Sequence, residues 1–242
     1  MLKHRITMGL ALAATLILGI QAEGFAFTKK TKKQATFKVR IENIAPADGV
    51  LGADGSRYPF ALSPGLFTAS DKKVNLFRDG KKAAAGIESQ AEDGSPEVLY
   101  KKFLTKLGST ALGTFTKPAG SEMAAPIFSG GVFEFTFTAT EGASLDLITM
   151  FGQSNDLFYA PTKAIALFDR DGQPVTGDIT DKFELWDAGT EVNQAPGVGS
   201  DQGPRQKGPN TGAAENGVVH LVKDGFMYPA TKDVLRISVS VQ

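Results

Sequence analysis

The nine residues Val132 to Thr140 (VFEFTFTAT) put Phe133, Phe135 and Phe137 on one side of an extended chain and Glu134, Thr136 and Thr138 on the other. Successive side chains of a strand point to opposite faces, so this period of two describes a strand with one face in a core and one in water. Thr36 to Ile44 (TFKVRIENI) repeats the pattern, with Phe37, Val39 and Ile41 opposed to Lys38, Arg40 and Glu42. Val234 to Val241 (VLRISVSV) alternates as cleanly. Ser144 to Phe151, Ala164 to Asp169, Lys182 to Trp186 and Val218 to Val222 are further short apolar-rich runs. Short strands separated by Gly, Pro, Asn and Asp turns predict an all-β chain folded as a sandwich or a barrel.

One segment departs from this period. Ser95 as N-cap, Pro96 at the first helical position and Gly108 as the stop predict a short helix over Val98 to Leu107. Val98, Leu99, Phe103 and Leu107 give it one apolar face, which is expected to pack on the sheet. Val192 to Gly217 is a long stretch rich in Gly, Pro, Asn and Gln, expected to be a functional or mobile loop. Its glycines 197, 199 and 203 lack the Gly-Lys-Ser/Thr that a phosphate-cradling loop needs.

At the N-terminus, Lys3, His4 and Arg5 precede an almost wholly apolar run from Ile6 to Ile20, with small residues at the exit. This is the layout of a secretory signal peptide, cleaved after Ala22 or after Ala26. The apolar run falls short of the roughly 20 residues that span a bilayer, and no later segment is long enough either. The expected organisation is therefore a signal peptide over 1–26, an N-terminal arm over 27–34 that contains the basic KKTKK run, and one domain over 35–242. Export implies a periplasmic or secreted protein.

Composition narrows the chemistry. There are no cysteines and two histidines, of which only His220 lies beyond the signal. Thiolate metal sites, cysteine nucleophiles and multi-histidine zinc sites are excluded, and a Ser-His-Asp mechanism would rest on His220 alone. Losing Lys3, Arg5 and Glu23 moves the formal charge from +0 to −1, which gives no electrostatic footprint for nucleic acid.

Two acidic segments follow predicted strands: Ser154-Asn155-Asp156, and Trp186-Asp187-Ala188-Gly189-Thr190-Glu191. Calcium takes six to eight oxygens, and three carboxylates at one edge of a sandwich supply part of such a shell. Gly189 lets the chain curl back so that Asp187 and Glu191 converge. The plainer reading makes Asp156 and Asp187 turn formers that bond nearby backbone amides. Asp169-Arg170-Asp171-Gly172 is a rival tract, better read as a hairpin turn. A carboxylate pair such as Asp187 and Glu191 also serves glycoside hydrolysis, with Trp186, Phe158 and Tyr159 as the adjacent aromatics.

At these segments the chain resembles the spondin N-terminal domain family, in its bacterial branch. Met150 to Tyr159 (MFGQSNDLFY) and Trp186 to Glu191 (WDAGTE) resemble its two most specific motifs. Phe37 to Asn43, the Ser-Pro turn at Leu62 to Gly65, Leu76-Phe77 and Ala91 to Gly94 resemble weaker ones, in the same order. The resemblance implies an antiparallel β-sandwich similar to calcium- and lipid-binding domains, with one Ca2+ held by Asp156, Asp187 and Glu191. Glu191 stands where animal members carry Asp, and Asn155 offers an amide oxygen where they carry Pro. Animal members occur in extracellular matrix and adhesion proteins. The expectation is thus a non-enzymatic calcium-binding module of the cell envelope that engages an extracytoplasmic ligand or protein partner. A periplasmic carbohydrate-active hydrolase and a purely structural envelope protein are the alternatives.

Overall fold

The computed structural model describes residues 31–242; the expected signal peptide and the first residues of the arm lie outside the described residues. Alternation becomes a four-stranded antiparallel sheet. Its two middle strands are β1 (Gln34–Asn43) and β13 (Leu235–Val241), with β6 (Val132–Thr140) on one edge and the short β10 (Gly177–Asp178) on the other. Phe37 lies opposite Phe137 and Val241, and Ile41 opposite Phe133 and Ile237, so one face of the sheet is apolar as far as the buried Asn43 at the end of β1. The other face carries Lys38, Arg40, Glu42, Glu134 and Arg236 in a row of half-buried ion pairs.

The second sheet runs in the order β12 (His220–Leu221), β11 (Phe183–Asp187), β8 (Leu157–Pro161), β7 (Ser144–Phe151), β4 (Leu62–Ser70) and β5 (Leu112–Phe115). The two-residue β9 (Ile165–Ala166) pairs with the start of β7, while β8 pairs with its end. A separate hairpin joins β2 (Val50–Leu51) to β3 (Arg57–Tyr58). Side chains of both sheets meet in one core, where Phe37, Ile41 and Phe133 pack with Leu145, Leu147 and Phe151. The chain is all-β, with antiparallel sheets arranged as a sandwich.

The outer face of the second sheet is also buried. Leu66, Ile148, Phe158 and Trp186 pack there against Ile87, Leu99 and Phe103. The last three come from α1 (Ala85–Asp93) and α2 (Glu97–Leu107). A strand covered on both sides has no polar face, which is why β7 reads as a near-continuous apolar run.

Three expectations are corrected. The helix is present, but Ser95 does not cap it: its hydroxyl bonds Glu97 Oε2 at 2.5 Å and the helix starts at Glu97. It also has a companion, α1, and a single turn α3 (Thr231–Val234) that takes Val234, the first residue of the stretch read as the last strand. Leu62 to Gly65 is not a turn but the bulged start of β4. Pro64 is tolerated there because a bulge does not ask its nitrogen for a ladder bond. The Ser63 hydroxyl fills the gap by accepting from Met150 N at 3.0 Å, while Thr149 Oγ1 donates to Ser63 O at 2.7 Å. Ala164 to Asp169 shrinks to two paired residues before a hairpin turn in which Asp169 Oδ1 accepts from Asp171 N and Gln173 N.

Candidate metal centre

Sheet register sets the site. In the β8–β11 pair Asp187 lies opposite Leu157, so Asp187 sits beside the residue that follows Asp156. Asp187 also faces His220 of β12. Beyond β11 the chain turns at Gly189, whose φ of +67° is left-handed. It then runs antiparallel to 213–217: Val192 N donates to Ala213 O at 2.7 Å, Glu215 N to Thr190 O at 3.0 Å and Gly217 N to Gly189 O at 2.7 Å. This ribbon delivers Glu215. Carboxylate oxygens of Asp156, Asp187 and Glu215 lie within 4.8 Å of one another, the one such group among the described residues.

The hydrogen bonds around Asp156 are lopsided. Its Oδ2 accepts from Thr190 N at 2.7 Å, Thr190 Oγ1 at 3.0 Å and Glu191 N at 3.1 Å. Its Oδ1 is buried and accepts from nothing. Asp187 Oδ1 accepts from Gly189 N, and its Oδ2 from Asn193 Nδ2, both at 2.6 Å. That second contact leaves Asn193 Oδ1 buried and unpartnered as well. None of the three carboxylates pairs with a lysine or arginine among the described residues.

Electrostatics follow from that imbalance. Burial, with the neighbouring Asp187 charge second, pushes Asp156 up to about 6 against the pull of its three donors. Asp187 is raised by burial and by Glu215, a rise opposed by the Gly189 amide and by His220. Glu215 is raised by burial and then by Asp156. Glu92, which reaches the cluster from α1 and is fully buried, is pushed up to about 7 by burial, with Glu191, Glu88 and Asp156 adding to it. Carboxylates raised in this way are acceptors short of positive charge.

The expected site residues separate into two groups. Asp156 and Asp187 converge. Glu191 and Asn155 stand beside the cluster: Glu191 Oε1 accepts from Gly212 N at 3.0 Å and its Oε2 from Asn155 Nδ2 at 3.4 Å. Asn155 Oδ1 accepts from Gln194 N at 3.0 Å. This pair ties 153–156 to the long loop. Glu215 was missed because its approach depends on a non-local pairing, and the turn signal beside it, Asn216-Gly217 with Asn216 at φ +61°, does not name the partner strand.

The long loop is well tethered. Buried Gln202 donates to the carbonyls of Gln194 and Ala195 and accepts from Gly197 N, and Arg205 bonds Gln153 Oε1 at 3.0 Å. The aromatics expected near a sugar cleft are elsewhere. Phe158 and Trp186 sit in the outer core, where Trp186 Nε1 donates to Ala160 O, and Tyr159 sits between the sheets. No family model matches the chain, and no curated protein matches it.

Proposed function

We propose that this is an exported, non-enzymatic β-sandwich that holds one calcium ion at the end of its second sheet and presents the surrounding loops to an extracytoplasmic partner. The observation that carries the reading is Asp156 Oδ1, a buried carboxylate oxygen without a donor, next to two further carboxylates and the unpartnered Asn193 Oδ1. Leaving such an atom unpaired costs about 1–3 kcal/mol, more for a charged group, and a cation removes the cost. Oxygen-only donors suit a hard ion such as calcium.

The spondin-like motifs around Asp156 and Asp187 support the same reading, and the ion's third carboxylate in this proposal is Glu215. Glu191 and Asn155 would hold the loop in place from the next layer. Metal analysis of protein purified without chelator, followed by calcium titration in a thermal-shift assay, tests it. Calcium should raise the melting temperature of the wild type, and Asp156→Ala should abolish the response. Glu215→Gln should weaken it more than Glu191→Gln; the reverse order would return Glu191 to the ligand set.

A further inference from the structure

A second polar feature lies on the helical side of the molecule. The segment from Asn75 to Ala84 and the face of α2 enclose a groove of about 360 Å³. Its floor is apolar, made by the buried Leu76, Ile87 and Phe103 with half-buried Phe77. Five cations ring it: Arg78, Lys81 and Lys82 from the segment, and Lys102 and Lys106 from one face of α2. No acidic residue lines it. In a chain of formal charge +0, five cations around one opening is a local concentration.

None of the five pairs with a carboxylate among the described residues. Of the acids on the same elements, Glu97 Oε2 accepts from Ser95 Oγ, and Asp79 lines with Asp146 a neighbouring hollow that shares Phe77 and Arg78 with the groove. Glu88 lies 2.9 Å from the Asn210 amide when that amide is oriented to donate. Lys102 and Lys106 are four residues apart on a helix, where like charges repel. The segment is also anchored: Gly80 N donates to Val219 O at 2.8 Å, and Val219 N to Lys81 O at 2.9 Å. Lys102 Nζ stands 5.7 Å from the centre of the Phe103 ring, so charge and apolar surface adjoin.

We infer that this groove binds a phosphate monoester carried on an apolar or aromatic body, the dianion meeting the lysine and arginine ring and the body resting on Phe77, Ile87 and Phe103. A dianion neutralises more of the ring than a single carboxylate does, and charge-assisted bonds to phosphate are the strong ones. The apolar floor separates such an ester from inorganic phosphate.

Calorimetric titration of the folded chain with phenyl phosphate, inorganic phosphate and phenol tests the assignment, alongside sedimentation with phosphatidylcholine vesicles with and without phosphatidic acid. Phenyl phosphate should bind at least tenfold tighter than inorganic phosphate or phenol. Lys81→Glu/Lys102→Glu should weaken it at least tenfold at an unchanged melting temperature, and Lys223→Glu, in the loop after β12, should leave it intact. Lys81→Gln/Lys102→Gln supplies the same comparison should the reversal disturb folding. Binding confined to vesicles that contain phosphatidic acid would assign the ester to a lipid headgroup. Absence of binding to phenyl phosphate and to those vesicles alike, or binding indifferent to both double variants, would overturn the proposal.

Discussion

At the scale of single residues, donors satisfy both oxygens of Asp187 and one of Asp156, while the exposed Glu215 carboxylate takes no donor from the protein, so Asp156 Oδ1 is the buried oxygen left over. Gly189 is equally constrained. A Cβ there would lie 2.6 Å from the backbone of Val218, and its φ of +67° disfavours any other residue. Gly189→Ala is therefore expected to cost roughly 1–3 kcal/mol and to weaken calcium binding together with stability, measured by urea unfolding with and without calcium. Asp146 tests burial away from the proposed ion. It is 7% exposed, and burial pushes it up to about 7 despite donors at Leu76 and Leu147. An acid raised in the folded state keeps its proton while the unfolded chain has lost it, so stability falls as pH rises from about 4 to about 7. Asp146→Asn should thus gain on the wild type across that window, by up to about 4 kcal/mol at its upper end. A difference that stays flat with pH would contradict the assigned cause.

At the scale of elements, legibility in the sequence followed one-sidedness. β1, β6 and β13 each bury one face and expose the other, and their alternation was readable almost to the residue. β8 is buried throughout and five residues long, so it carries no period that would predict a strand there. α1 has no side-chain cap, and its buried positions include Gly86, Gln90 and Glu92, which do not form an apolar stripe. β4 was hidden by Ser63-Pro64-Gly65, residues that mark turns until a bulge claims them. Removing the Ser63 hydroxyl leaves Met150 N without its acceptor and Gln90 Nε2 without one of its two. Ser63→Ala should therefore cost about 1–3 kcal/mol in chemical denaturation with little effect on calcium affinity. The same logic explains the site. Asp156 and Asp187 end or precede adjacent strands and were legible from those positions, whereas Glu215 arrives on a ribbon formed only after the long loop folds back.

At the scale of the whole molecule, the second sheet is clamped between a sheet and a helical layer, and its β8–β11 end carries the acidic cluster. One buried face fixes the sandwich, the other fixes α1 and α2, and loops at the strand ends are left to carry chemistry. Among the described residues no helix is long and apolar enough to cross a membrane. An ion that binds only the folded chain adds stability by mass action, about 2.7 kcal/mol at a hundredfold excess over its dissociation constant. Sites of this kind outside cells work at dissociation constants of about 10⁻⁴–10⁻³ M. Calorimetric titration of chelator-stripped protein with calcium, run on the wild type and on Asp156→Ala, is the most direct test. The proposal predicts one ion per chain in that affinity range, lost in the variant. No binding heat up to about ten times the weaker of those constants, with a melting temperature indifferent to calcium and to chelator, would contradict it.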